Sequence, residues 1–270
     1  MQKIALIFDF DETLVEESTS AFVASLGLDV ERFWKTVDGE LVKNGWDPVI
    51  AYLYKLIEVS NSSPEKVITK KRFEEFSANL TYKKGVETLF ENIRQFTTDN
   101  FRDVESEFYI ISSGIGEIIR NASIAQEMTD IWACDFHYDK NGEIRFPKNI
   151  ISFTDKTRYI FQISKGMIGE KYRGKPYEVN RLIPPEDYRI PIDHMIYIGD
   201  GMTDVPCFSL MKRFGGTPIG VYDSTKSLGK AWQFIEDKRV SNLHSANYEK
   251  GSDLYNSILM AIQSIVNKNY

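Results

Sequence analysis

Two aspartates near the amino terminus, Asp9 and Asp11, are the first residues whose spacing suggests chemistry. They follow an apolar run, residues 3–7, which is too short for a helix and is interpreted as a buried strand. In a strand this spacing puts both side chains on one face, where two carboxylates repel unless one is protonated or a cation lies between them. A hard cation such as Mg²⁺ prefers oxygen ligands. One carboxylate could then attack phosphorus while the other carries a proton.

Because such a pair could also be an exposed turn, it needs support from the rest of the chain. A second apolar strand, residues 107–111, is followed by Ser112, Ser113 and Gly114. The Ser112 hydroxyl can donate to a phosphoryl oxygen, and the following backbone N–H groups can add donors. Ser113 could instead cap the next helix.

Two further segments add a cation and more carboxylates. Lys156 stands at the start of a predicted helix, and a third apolar strand, residues 195–199, leads into Asp200 and Asp204. Gly199 and Gly201 allow a tight turn that brings Asp200 toward the other carboxylates.

In this order, the four segments resemble the motifs of the haloacid dehalogenase-like hydrolases, and they span most of the chain. The second motif is similar to that of the phosphoserine phosphatases, a branch with a helical cap between motifs I and II. The resemblance implies that Asp9 attacks a phosphomonoester to form an aspartyl-phosphate and that Asp11 is the general acid and base. It implies Mg²⁺ as the cofactor, bound by the Asp9 carboxylate, the Asp11 backbone carbonyl and Asp200. Asp204 is a further metal candidate, directly or through water, and could alternatively bond to Lys156.

The resemblance also assigns the phosphoryl-binding residues. Ser112 and Lys156 would hold the phosphoryl oxygens, with Ser113 and Gly114 beside them, and Thr13 would support the loop of the first motif. The match to the third motif favours Lys156 over its nearest rivals, which are Lys148 and Lys165.

These residues must be positioned by an α/β core, a mostly parallel sheet that carries its site at the carboxyl ends of the strands. The resemblance adds a Rossmann-like topology with helices on both faces. Residues 16–84 contain no convincing strand, and helices are predicted to begin after Asp29, Asp47 and Ser63. We therefore predict a core of residues 1–15 and 85–270 and a helical cap of residues 16–84. Trp46 is the candidate cap residue for substrate contact.

Outside the motifs, residues 131–146 are predicted to form a hairpin, residues 217–223 a strand and residues 253–268 a helix that packs on the sheet. Residues 166–192 form an unusually long basic connection, interpreted either as a solvated flap or as a recognition surface.

The composition limits the class of protein. The 270 residues carry a net charge of −6, which argues against general nucleic-acid binding. No apolar run has the length of a membrane span, and the amino terminus does not resemble a signal peptide. Cys134 and Cys207 lack metal-type spacing and are interpreted as the reduced thiols of a cytoplasmic protein.

The sequence thus predicts a Mg²⁺-dependent phosphatase for a small phosphomonoester. A haloacid dehalogenase is disfavoured because that branch neither uses the second aspartate nor needs Mg²⁺. A phosphoprotein phosphatase remains an alternative, although the helical insert would obstruct a protein substrate. A binding protein that has kept the fold and lost turnover is the alternative from another class.

Phosphoserine is not the expected substrate. In the phosphoserine phosphatases a glutamate shortly after the first motif binds the substrate ammonium, and the matching position here is Ser18. Glu17 stands one residue earlier, and on a helix this shift turns a side chain by about 100°.

Overall fold

The computed structural model describes residues 1–224 and 229–268. In this part of the chain, one sheet has the strand order β4-β3-β2-β1-β5-β6-β7. The strands are β1 (Gln2–Phe8), β2 (Val104–Ile115), β3 (Asp130–Tyr138), β4 (Ile144–Asn149), β5 (Met195–Gly199), β6 (Thr217–Tyr222) and β7 (Asn242–Ser245). All neighbours pair in parallel except β3 and β4, which form the predicted antiparallel hairpin. The prediction of a mostly parallel α/β core is confirmed.

Helices cover the sheet. The α-helices of the described residues are α1 (Ser18–Ser25), α2 (Val30–Thr36), α3 (Pro48–Ser62), α4 (Lys70–Ser77), α5 (Val86–Asn100), α6 (Gly116–Arg120), α7 (Asp155–Lys165), α8 (Glu170–Arg173), α9 (Val205–Arg213), α10 (Gly229–Glu236) and α11 (Asp253–Asn267). None of these helices is long and apolar enough to cross a membrane.

The central strand β1 explains why the first apolar run has no polar face. Ala5 and Ile7 are buried in one hydrophobic layer, whereas Ile4, Leu6 and Phe8 are buried in the other. A parallel strand covered on both sides is expected to be apolar throughout.

Residues 16–84, here called the helical segment, carry α1 to α4 between β1 and β2. The predicted starts after Asp29 and Asp47 are confirmed, because each carboxylate accepts a backbone N–H of the first turn that follows it. The predicted start after Ser63 is wrong. Residues 64–66 form a 3₁₀ turn, and α4 begins at Lys70 after a cap by the Thr69 hydroxyl.

The late start of α4 has a tertiary cause. The Ile68 carbonyl accepts the Ile144 N–H at 3.0 Å, and the Lys70 N–H donates to the Gly142 carbonyl at 2.8 Å. These bonds to the β3–β4 hairpin keep Thr69 extended, so the helix begins only at Lys70.

The basic connection of residues 166–192 is anchored at several points. Arg189 pairs with the buried Glu107 of β2, and Arg173 pairs with the buried Asp130 of β3. Asp130 also accepts the Gly169 N–H at 2.7 Å. Two of the five basic side chains in this connection are therefore matched by carboxylates of the sheet.

Candidate active site

The candidate site lies at the carboxyl ends of three neighbouring strands, β2, β1 and β5. Asp9 directly follows β1, and its N–H donates to the Ile198 carbonyl of β5 at 2.9 Å. Ser112 lies near the end of β2, and Asp200 follows the last residue of β5. Because the three strands are parallel neighbours, residues far apart in sequence meet at one edge of the sheet.

Lys156 reaches this edge from the first turn of α7 and is fully buried. Its Nζ lies 3.0 Å from Asp9 Oδ2 and 2.7 Å from Asp204 Oδ1, and it donates to the Thr203 hydroxyl at 3.3 Å. Burial disfavours the ammonium, but the Asp204 and Asp9 carboxylates outweigh it and raise the pKa of Lys156 above its ordinary value. The lysine is therefore a fixed positive charge beside Asp9.

Three carboxylates share this one ammonium. Oxygen atoms of Asp9, Asp200 and Asp204 all lie within 4.8 Å of one another. Asp204 is held by Lys156, by the Tyr197 hydroxyl at 2.7 Å and by the Gly201 N–H at 3.1 Å. The bond from Asp204 to Lys156 is one of the two alternatives that the sequence allowed.

The carboxyl groups of Asp9 and Asp200 both have raised pKa values. Burial, and then the charge of Asp204, raise the pKa of Asp9 to about 6. Burial and the nearby Asp9 raise the pKa of Asp200 well above its ordinary value. An oxygen-rich pair of this kind has the chemistry of a site for a hard cation.

The side chain of Asp11 is not part of the cluster formed by the Asp9, Asp200 and Asp204 carboxylates. Its Oδ1 accepts the Ser18 N–H at 2.7 Å. Burial, followed by the charge of Glu17, raises the pKa of Asp11 to about 7. A carboxyl group with this pKa can both give and accept a proton near neutral pH.

The turn after Ser112 requires glycine at position 114. A Cβ on Gly114 would lie 2.6 Å from Asp11 Oδ2, so a larger residue would displace that carboxylate. The Gly114 N–H donates to the Ser112 hydroxyl at 2.9 Å, which holds the buried serine at the strand end. The structure therefore brings Asp9, Asp11, Ser112, Gly114 and Lys156 together at one edge of the sheet.

A cavity of about 300 Å³ opens over these residues. One wall comes from the core and includes Asp9, Asp11 and Ser113, and the other comes from the helical segment and includes Trp34 and Tyr52. The Tyr52 hydroxyl donates to the Ser113 carbonyl at 2.6 Å and so ties α3 to the end of β2. The cavity thus lies between the helical segment and the sheet.

Glu17 also lines this cavity, contrary to the argument from helix geometry. That argument assumed a helix through position 17, but α1 begins at Ser18, and Glu17 caps it from a non-helical conformation. Its carboxylate accepts the N–H groups of Thr19 at 3.2 Å and Ser20 at 2.6 Å. Ser18 is buried and offers its backbone to Asp11.

The loop that follows Asp9 is held by Thr13, which the resemblance named, and by Tyr248 and Lys83, which no motif indicated. Thr13 donates to Asp200 Oδ1 at 3.5 Å, and its carbonyl accepts the hydroxyl of the buried Tyr248 at 3.0 Å. Lys83 is buried against Glu12, Glu16 and Asp223, with its Nζ 2.8–3.3 Å from their oxygens. These contacts hold the loop after Asp9 in place through residues that are distant in sequence. Tyr248 and Lys83 meet this loop only in the folded chain, so no local pattern indicates them.

The structure also shows where Trp46, Lys165 and Lys148 lie. Trp46 is exposed and packs on Tyr54 at 4.9 Å between ring centroids, and Trp34 lines the cavity instead. Lys165 donates to backbone carbonyls of the basic connection, and Lys148 lines a different cavity. Among the three lysines considered, Lys156 alone lies beside Asp9.

The comparisons with known proteins support the same fold. No family model matches the chain. An uncharacterized protein of Borreliella burgdorferi is 29% identical, and the alignment covers 96% of each chain. A HAD family hydrolase from Salmonella enterica serovar Typhi superposes with a TM-score of 0.61 at 13% identity, over 88% of this chain and 66% of that one. A substrate-bound phosphoserine phosphatase superposes with a TM-score of 0.58 at 14% identity, over 96% of this chain and 98% of that one.

These likenesses show that the chain has the fold of the haloacid dehalogenase-like hydrolases, in the form found in phosphoserine phosphatases. The chain spans about two thirds of the Salmonella hydrolase and nearly all of the phosphatase.

Proposed function

We propose that the protein is a Mg²⁺-dependent phosphatase that hydrolyses a small phosphomonoester through an aspartyl-phosphate on Asp9. The observation that carries this proposal is the position of Asp9. It is buried at the end of β1, 3.0 Å from a buried ammonium, beside Asp200, and it lines a cavity together with Asp11. A nucleophile, a proton carrier and an anion-stabilising cation thus meet at one concave site.

The carboxylates fit a magnesium ion. Lys156 and its neighbours satisfy Asp204, whereas burial and neighbouring carboxylates raise the pKa values of Asp9 and Asp200, which a bound cation would lower. Asp9 and Asp200 would hold the ion, together with the Asp11 carbonyl. When bound, Mg²⁺ would offset the repulsion between these groups and a dianionic phosphate. Asp204 is proposed to act through Lys156.

The side chains supply the remaining chemistry. The Asp9 carboxylate attacks phosphorus, and the bond from phosphorus to the ester oxygen breaks while protonated Asp11 gives its proton to that oxygen. The alcohol then leaves, and the ionised Asp11 takes a proton from the water that attacks the aspartyl-phosphate. The Asp9–phosphorus bond breaks and releases inorganic phosphate. Ser112 and Lys156 hold the phosphoryl oxygens during both steps.

We propose that the helical segment is the cap and that residues 1–15 and 85–270 are the core. In support, the two ends of the segment lie side by side and are hydrogen-bonded to each other. The Glu16 N–H donates to the Thr81 carbonyl at 2.8 Å, and the Lys83 N–H donates to the Leu14 carbonyl at 2.9 Å. A cavity of only about 300 Å³, lined by both parts of the chain, favours a small ester over a phosphoprotein. The buried free thiols of Cys134 and Cys207 support a reducing, cytoplasmic location.

The test is phosphate release from p-nitrophenyl phosphate and a panel of small esters by purified protein with Mg²⁺. Turnover that Asp9→Asn abolishes supports the phosphatase. A folded protein that binds phosphate esters without turning over any of them would instead be a binding protein.

A further inference from the structure

The wall that the helical segment contributes to the cavity is acidic. Glu17 and Asp38 line it, and no lysine or arginine of the described chain does so. Within residues 1–224 and 229–268, neither carboxylate forms an ion pair. Neither belongs to the Asp9, Asp200 and Asp204 cluster that would hold the metal. Their charge is therefore left for the substrate to balance.

Glu17 is held in place before any substrate arrives. Each of its two carboxylate oxygens accepts one N–H at the start of α1, which fixes the group and leaves each oxygen a free lone pair. Asp38 is exposed at the cavity wall, so water screens its charge more strongly. Glu17 is therefore the main electrostatic determinant and Asp38 a weaker one.

Two aromatic rings complete this wall of the cavity. Trp34 and Tyr52 lie with ring centroids 6.2 Å apart. Their polar atoms are used within the protein, because Trp34 Nε1 donates to the Ser20 hydroxyl at 2.7 Å and the Tyr52 hydroxyl donates to the Ser113 carbonyl. The rings thus present π surface rather than donors, and π surface attracts a cation.

We propose, resting on the phosphatase function above, that the substrate is the phosphate ester of a small cationic alcohol, of the ethanolamine or choline type. The phosphoryl group would lie at Asp9, and the positively charged nitrogen would lie among Glu17, Trp34 and Tyr52. Asp11 and Glu17 line the same cavity, and in these esters only two carbons separate the ester oxygen from the nitrogen. An added carboxylate, as in phosphoserine, would meet Glu17 and Asp38 without a cation to receive it.

The test compares esters that differ only in charge. Phosphocholine is paired with 3,3-dimethylbutyl phosphate, its neutral isostere, and phosphoethanolamine is paired with propyl phosphate. We expect kcat/KM to favour the cationic member of a pair by roughly 10- to 100-fold, the value of one charge-assisted contact. L-phosphoserine is expected to fall below phosphoethanolamine. Whichever pair shows the larger ratio distinguishes a quaternary from a primary nitrogen.

Variants link the preference to the residues. Glu17→Gln keeps an oxygen for the helix cap, and we expect it to lower the cationic-to-neutral ratio about tenfold, chiefly through KM of the cationic ester. Asp38→Asn should lower the ratio less. Glu91→Gln, on the exposed face of α5, is the matched control and should leave the ratio unchanged.

Equal kcat/KM for the members of both pairs, or L-phosphoserine as the best substrate, would overturn the inference while the phosphatase function stood. If no ester is hydrolysed, the phosphatase function fails. Calorimetric titration of the protein with phosphocholine and with its neutral isostere then decides the inference: tighter binding of phosphocholine supports it, and equal binding overturns it.

Discussion

Replacing Lys156 by methionine tests the electrostatics of the site most directly. The change keeps the length of the side chain and removes the ammonium that lies 3.0 Å from Asp9 and 2.7 Å from Asp204. Both partners would stay buried without a cation. Removal of one member of a buried ion pair costs about 3–5 kcal/mol of unfolding free energy. We expect a loss in this range at about pH 7.5, together with a roughly 10²–10³-fold lower kcat.

The loss should depend on pH in a defined direction. In the wild type, the folded-state pKa of Lys156 lies above its unfolded value, so its contribution is complete throughout the neutral range and is lost only as pH rises through the folded pKa. In the wild type, the pKa of Asp9 is raised to about 6 although the Lys156 ammonium lowers it. In the variant this ammonium is absent, so the pKa of Asp9 should rise further. An acid with a raised folded pKa loses stability as pH increases above its unfolded pKa. The variant should therefore be closest to the wild type at about pH 5.5.

Urea denaturation of both proteins at the two pH values measures these differences. Lys148→Met is the matched control, because Lys148 is exposed and forms no ion pair with any described residue. It should change the unfolding free energy by no more than about 0.5 kcal/mol. A loss below about 1 kcal/mol for Lys156→Met, or an equal loss at both pH values, would contradict the buried charge arrangement.

Three further predictions address the chemistry. Asp9→Asn should abolish turnover without loss of the fold, and Asp11→Asn should lower kcat about 10²–10⁴-fold; substantial residual turnover by Asp9→Asn, with circular dichroism as the folding control, would reject Asp9 as the nucleophile. EDTA should abolish phosphate release and Mg²⁺ restore it, whereas full activity in chelator would exclude the metal assignment and favour the dehalogenase alternative. Protonated Asp11 is the proposed proton donor, and its pKa is raised to about 7 in the metal-free protein, so kcat/KM should fall as the pH rises through about this value. A bound cation favours the ionised carboxylate, so the fall could begin at a lower pH. If Asp11→Asn keeps the same alkaline limb in its residual activity, that limb belongs to another group.

The sequence predicted the parts of the fold that local patterns encode. The three buried strands, the hairpin and the helix starts after Asp29 and Asp47 follow from apolar runs and from capping residues, which act within a few positions. The start of α4 could not be read this way, because backbone bonds to the β3–β4 hairpin override the Ser63 signal. The edge strand β7 was missed for a related reason. It is short and polar, and it exists because β6 pairs with it.

The same division applies to the site. Asp9, Ser112, Lys156 and Asp200 could be predicted because each follows or precedes an apolar element whose end is visible in the sequence. The partners of these residues could not. Lys83 meets Asp223 across the fold, and Tyr248 reaches the Thr13 carbonyl from a segment with no motif. Such contacts depend on which strands become neighbours in the sheet. A short stretch of sequence does not carry that information.

Glu17 shows how one backbone detail decides a specificity argument. If residues 17 and 18 lay on one helix, the Glu17 side chain would point about 100° away from the Ser18 side chain. The chain instead makes a tight turn after Asp11, whose carboxylate accepts the Ser18 N–H and stops the helix from beginning before that residue. Glu17 is thereby left non-helical at the N-cap, in the cavity wall, close enough to raise the pKa of Asp11. The bond that positions the proton donor therefore also positions the carboxylate proposed to select the alcohol, so Glu17→Gln should alter both the cationic-to-neutral ratio and the alkaline limb of kcat/KM, which would move to lower pH.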